Sequence, residues 1–260
     1  LVPSVALEFT ITPAYTRVMA RIEFRRNPDA KDLRAPLDLD GEDLQFEFLR
    51  LGGRDLGSDE FTLTEKKLLI PNTPDAFTLE TACRIEPQNN TQLSGLYASK
   101  DGLFTQCEAE GFRRITYFLD RPDIMASYAV TLRADQTAYP ILLSNGNLVE
   151  QGELDEGRHF ARWVDPHRKP CYLFALVAGN LVCREQRIRS RSGNEHLLQV
   201  YVRAGDLDKT EHPTGKRLSK ARDEGQVARS IDLTAAAITA GTMGLLMFLG
   251  HVVVVPGPSF

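Results

Sequence analysis

Between Val5 and Val202 the chain is written in short runs whose apolar residues fall on every second position. Val18, Ala20, Ile22 and Phe24 alternate with Arg17, Met19, Arg21 and Glu23, which puts an apolar row on one face of a strand. Leu44, Phe46 and Phe48 repeat the arrangement with Gln45 and Glu47 opposite. Tyr128, Val130 and Leu132 do so again, as do Leu173, Ala175 and Val177. Turn signals separate the runs: Asn27-Pro28-Asp29, Asp40-Gly41, Gly52-Gly53, Ser144-Asn145-Gly146-Asn147 and Arg191-Ser192-Gly193-Asn194. Many short strands with no long helical period between them predict a mainly β domain built of antiparallel sheets.

The pattern changes after Asp208. Residues 209–232 are polar and charged, carrying Lys216, Arg217, Lys220, Arg222 and Arg229, and Leu218, Ala221 and Gly225 fall at the spacing of a short helix. Residues 233–255 carry no formal charge, and His251 is their one titratable group. As a helix this run reaches across a hydrocarbon layer of ~30 Å, with its basic flank on the cytoplasmic side. Its Ala/Thr/Gly-rich first half is weakly apolar and Val252 to Val255 favours a strand, so a buried apolar tail is the competing reading. The expected organisation is a β domain over 1–208, a basic linker over 209–232, and an apolar tail over 233–260 that is a candidate membrane span.

Composition narrows the classes. The chain has 260 residues and a net charge of −4, so it is long enough to bury a core and gives no basic face for nucleic acid. Cys83, Cys107, Cys171 and Cys183 form no CxxC pair, which points to free thiols in a reducing cytosol. Leu1 to Thr12 shows neither a basic flank nor a small-residue cleavage site, so no secretory signal is expected there. With no initiator Met, Leu1 is not expected to be a natural start.

The densest chemistry lies in Thr105-Gln106-Cys107-Glu108-Ala109-Glu110-Gly111, followed by Phe112-Arg113-Arg114. On a strand, Gln106, Glu108 and Glu110 share one face. A carboxylate beside an amide oxygen suits a primary ammonium, which needs one opposite charge and lone pairs for three N–H donors. Taken alone the signal is weak, because two acids near two arginines are usually a solvated surface.

The segment TQCEAEGFRRITYFLDRPD (105–123) resembles the aminopeptidase N family of bacterial zinc peptidases. So do APLDLDGEDL (35–44), Asn90-Thr91 through Leu96-Tyr97, YPILLSNGN (139–147), QGEL (151–154) and KPCYLFALVAGNL (169–181). A looser likeness continues through RSRSGNEHLLQVYVRAGDLD (189–208). The resemblance implies a saddle-shaped β domain that rests on a thermolysin-like zinc domain. It implies that Glu108 helps bind the free α-amino group of a peptide N-terminus, and that Gln106 lines the pocket for the N-terminal side chain. Packing or turn roles are left for Cys107 and Glu110.

Hydrolysis in that family needs HExxH, two zinc-ligating histidines flanking a general base, together with a GxMEN segment. Neither occurs in these 260 residues; His159, His167, His196, His212 and His251 include no pair four apart. The expectation is a chain with no cofactor of its own and no independent catalysis, the family's zinc belonging to another domain. Residues 208–237, DKTEHPTGKRLSKARDEGQVARSIDLTAAA, are similar to the opening of type III secretion export-apparatus switch proteins. There a basic cytoplasmic segment leads into a first transmembrane helix, which implies inner-membrane association through 233–255. The abrupt change suggests a truncated or recombined reading frame. The competing functions are a membrane-associated export component and a stand-alone β-sandwich binding module.

Overall fold

The computed structural model describes residues 1–32, 34–100 and 102–203. The helix expected within 209–232 and the apolar tail lie outside the described residues. Alternation sets the first hairpin: β1 (Ser4–Ile11) buries Val5, Leu7, Phe9 and Ile11, and β2 (Thr16–Arg25) buries the expected row from Val18 to Phe24. Next come β3 (Leu37–Asp40), β4 (Gln45–Leu51) and β5 (Arg54–Asp55). β6 (Thr62–Leu63), β7 (Lys67–Ile70) and β8 (Ala76–Ile85) follow. β9 (Gly95–Ser99) and β10 (Gly102–Gln106) make a second hairpin. After them run β11 (Met125–Asp135), β12 (Ile141–Ser144), β13 (Asn147–Leu154) and β14 (Arg158–Pro170). β15 (Leu176–Gly179), β16 (Leu181–Arg189) and β17 (Glu195–Arg203) end the described chain. Among the described residues, no helix is long and apolar enough to cross a membrane.

Eight strands form one sheet in the order β13-β14-β11-β1-β2-β8-β4-β5. A four-stranded sheet (β12-β15-β10-β9), a three-stranded sheet (β3-β7-β6) and the β16-β17 pair complete the architecture. The mainly β reading holds, with one correction: β1 and β11 are parallel, Ser4 lying beside Ser127 and Phe9 beside Leu132. Local alternation carries no information about strand direction. β2 takes one edge of β1 as its hairpin partner, and the other edge is filled from far along the chain.

Two local registers also differ from the alternation. In β4 the pairing shifts between Phe46 and Phe48, so Glu47 is an extra residue and Leu49, not Phe48, is buried. Phe48 instead lies under the Arg50 guanidinium, 4.7 Å from it. In the second case a 3₁₀ turn over Cys171–Leu173 changes the phase of the chain. Phe174, Leu176 and Ala178 are therefore the buried row, while Leu173 and Ala175 are exposed.

An aromatic cluster fills the space between the sheets. Phe112 packs edge-on against Phe118 at 5.0 Å, Phe174 at 5.3 Å and Tyr128 at 6.1 Å, and Phe9 stacks on Phe174. The segment that carries the candidate site is thus rooted in the core.

The bulge at Glu47 has an electrostatic use. Its carboxylate accepts from Arg17 Nε and Arg84 Nε, each at 2.6 Å, tying β4 to β2 and β8. Burial alone raises the Glu47 pKa, but the two guanidiniums outweigh it and hold the group below 4.5. A carboxyl depressed in the folded state contributes stability that is present above its unfolded pKa and lost as pH falls through the folded value. Calorimetric scans should show Tm falling as the solution is acidified below about pH 4.5. Glu47→Gln should flatten that fall and cost about 1–2 kcal/mol at neutral pH; an unchanged pH profile would contradict the role.

Candidate functional site

The strand that leads to the site stops at Gln106. Cys107 is buried, and Glu108 to Gly111 form a turn closed by Gly111 N–H donating to Cys107 O at 2.8 Å. Gln106, Glu108 and Glu110 therefore do not share a strand face, because the chain turns between them. Gln106 and Glu108 nevertheless come together. Both are exposed, and Gln106 Nε2 donates to the Glu108 backbone oxygen at 3.4 Å. The Glu108–Ala109 peptide is cis. Glu110 is drawn away to Arg113, at 3.3 Å.

Two glycines allow this crossing of segments. A Cβ on Gly111 would lie 2.4 Å from Gln106 O and 2.9 Å from Cys107 Cα and Ser94 Oγ. Gly95, the β9 partner of Gln106, has φ +77, and a Cβ there would meet the Arg114 Cβ at 2.7 Å. The loop before Gly95 is held by Asn90, whose Nδ2 donates to Ser94 O and Leu96 O, each at 2.8 Å.

The turn is pinned from below by an ion pair that the sequence pattern did not single out. The Asp120 side chain is 1% exposed, and its Oδ2 accepts from both the backbone N–H (3.1 Å) and Nε (2.9 Å) of Arg113. Its Oδ1 accepts the Cys171 thiol at 3.0 Å. Asp120 N–H donates to Asp40 Oδ2, and the backbones of Asp40 and Phe118 exchange two hydrogen bonds of 2.8 and 3.0 Å. Arg114 next door is held by Glu42 at 2.8 Å and by Asp43. A buried Asp seven residues after an Arg leaves no periodic trace. The one available clue was a charge closing the apolar run Ile115 to Leu119.

Burial pushes the Cys107 thiol up to about 12, and the Asp120 carboxylate adds to the shift. The same causes, burial first, raise Cys171. Both sulfurs are thus protonated at neutral pH and belong to the packing. Among the described residues, no group of three or more His, Cys, Asp or Glu is placed to hold a metal ion.

Residues 37–173 match the Peptidase M1 N-terminal domain. The chain belongs to that family. Aminopeptidase N of Escherichia coli K12 is 46% identical over 207 residues, covering 79% of this chain and 24% of that protein. Aminopeptidase N of Caulobacter vibrioides is 44% identical over 236 residues, covering 90% and 27%. Among solved structures, Legionella pneumophila aminopeptidase A in complex with aspartic acid superposes with a TM-score of 0.76 at 36% identity, covering 81% of this chain and 25% of that one. An M1 zinc metallopeptidase from Deinococcus radiodurans shares the fold at a TM-score of 0.66 and 16% identity, covering 83% and 50%. The M1 domain described here therefore spans about a quarter of the length of its curated relatives.

Residues 207–255 match a second family, FlhB HrpN YscU SpaS. The two likenesses overlap. The first 208 of 260 residues are 80% of the chain, so the Caulobacter match over 90% runs past Asp208 into that segment.

The packing of the turn predicts a pattern of thiol reactivity. In the native chain, Ellman's reagent should find one accessible thiol, the half-exposed Cys183, with Cys83, Cys107 and Cys171 silent. Gly111→Ala forces the turn off Gln106 and should add a second reactive thiol, Cys107, with a loss of about 1–3 kcal/mol in unfolding free energy. An unchanged thiol count and Tm would show that the close approach is dispensable.

Proposed function

We propose that residues 1–208 are the substrate-anchoring domain of a zinc aminopeptidase, acting on the N-terminal residue of peptides. Glu108 receives the free α-amino group, and Gln106 lines the pocket for the first side chain. The observation that carries this reading is an exposed carboxylate on a turn that Gly111, Asn90 and Asp120 fix from three sides. The turn's backbone needs no ordering when an ammonium arrives, so only the Glu108 side chain has to settle, which lowers the cost of binding. The carboxylate supplies the opposite charge, and the Gln106 amide oxygen a further acceptor for the ammonium N–H groups.

The family likeness supports the same reading. One solved relative holds aspartic acid, and another, sharing the fold, is bound to a Tyr-Ser-Ala substrate. In a zinc peptidase the metal polarises the scissile carbonyl and activates water. The described residues of this chain offer no donor set for that ion. On this reading the hydrolytic step belongs to a zinc domain of the longer enzyme, and residues 1–208 anchor the substrate without cleaving it.

The match over 207–255 supports a second reading, in which 233–255 carries a cytoplasmic β domain to the inner membrane. Full-length protein left in the supernatant after membrane sedimentation would dismiss it.

The amine reading has two direct tests. The purified 260-residue chain with added zinc should release no chromophore from an alanyl anilide; sustained zinc-dependent turnover would overturn the division of labour. In NMR titrations an amino-acid amide with a free amine should shift the Gln106 and Glu108 resonances, and its N-acetyl derivative should not. Glu108→Gln should weaken that binding about tenfold. Equal binding of the acetylated compound would remove Glu108 as an ammonium site.

A further inference from the structure

A cleft of about 760 Å³ opens where the β3-β4 loop, the β6-β7 turn and the segment after β8 meet. Ile85, Leu96 and Tyr117 line it as buried residues. The Tyr117 ring lies so close to Gly41 that a Cβ there would fall 2.4 Å from Tyr117 Cδ1. The rest of the lining is polar. Glu42, Asp43, Glu65 and Glu86 border the cleft with Lys66 and Arg114, a balance of −2 in charge.

Hydrogen bonding leaves the cleft rich in acceptors. Arg114 is already taken up by Glu42 and Asp43. Glu86 accepts from Gln45 Nε2 at 2.8 Å and from Asn89 Nδ2 at 2.7 Å, so its partners are neutral and its charge is uncompensated. A carboxylate can only accept, which obliges both amides to turn their NH₂ groups toward it. Gln45 Oε1 and Asn89 Oδ1 thereby become acceptors that await a donor.

Tyr117 is the residue left incomplete. It is 2% exposed, yet its hydroxyl makes no hydrogen bond among the described residues. Nor is that oxygen among the partnerless polar atoms sealed from solvent, so the hydroxyl ends at the cleft. A hydroxyl kept so deep without a partner is costly, and a ligand that bonds it removes the cost.

A ligand that fits must bring donors, positive charge and an apolar body. Among the described residues no three ligating side chains gather for a metal ion, so the charge is organic. Ammonium groups donate to carboxylate, amide and phenol oxygens alike, and methylenes between them suit the buried Leu96 and Ile85. The balance of −2 matches a ligand with two positive charges. We propose that this cleft binds a small aliphatic diamine, with one ammonium held among Glu86, Gln45, Asn89 and the Tyr117 hydroxyl. The proposal is independent of the amine-anchoring reading, because neither Gln106 nor Glu108 lines the cleft.

The full 260-residue chain is titrated with putrescine and followed by NMR. The Gln45 and Asn89 side-chain amides and the Tyr117 ring should shift, and butanediol, the uncharged analogue of the same length, should move none of them. Tyr117→Phe removes only a hydroxyl that bonds nothing, so Tm should hold while affinity for putrescine falls about fivefold. Glu86→Gln should lower it about tenfold or more, and added salt should weaken binding to the unaltered chain. Absence of any shift with putrescine overturns the proposal, and so does undiminished affinity in Tyr117→Phe. Shifts confined to Gln106 and Glu108 would also overturn it while leaving the amine-anchoring reading standing. An equal response to butanediol would make the cleft a site for neutral polyols instead.

Discussion

The Asp120 carboxylate has almost no contact with water, yet it faces a guanidinium. Removing such a pair from solvent costs several kcal/mol per ion, and the arrangement survives only if every lone pair and proton finds a partner. Both Asp120 oxygens find donors here: Arg113 supplies two to one oxygen, and Cys171 supplies the third to the other. The same residue reaches Asp40 through its backbone, and Asp40 in turn takes Lys67 at 2.8 Å. One buried group therefore joins the three-stranded sheet, the 3₁₀ turn after Gly111 and the approach to β15. Everything exposed on the turn, Glu108 included, inherits its position from that junction.

Parts of this were legible in the chain. Where a strand runs unbroken across a half-buried sheet, as in β2 and β11, alternation alone identifies the buried face, because a one-residue slip would expose the whole row. Where a single residue is inserted, as at Glu47, or a 3₁₀ turn precedes the strand, as before Phe174, the period survives but its phase does not. The mainly β class was readable; the parallel partner of β1 was not. The site divides in the same way. Gln106 and Glu108 carry their chemistry in their side chains and drew notice. Gly111 and Asp120 act through what surrounds them, which appears only once distant segments are assembled.

The M1 family membership and the geometry describe a β domain with an exposed polar turn set on a packed aromatic core. The thiols beside the turn, Cys107 and Cys171, are buried and protonated, and the acids near it are mostly committed to arginines. The backbone of the turn is held by close packing and hydrogen bonds on a β scaffold, which fixes where Glu108 leaves the surface.

The parallel pairing of β1 with β11 sets an order of events during synthesis. β1 and β2 leave the ribosome first and can pair as a hairpin, but the second edge of β1 stays empty until residues near Ser127 arrive; the bond from Ser127 to Pro3 spans 124 positions. Until then the nascent chain carries an open strand edge over an apolar row, the state in which β proteins go astray. Closure of so long a loop is slow relative to local hairpins. The domain is consequently an assembly in which β1 is among the last strands to be satisfied, and a ribosome stalled before β11 would release a β1-β2-β8-β4-β5 sheet with one edge still open.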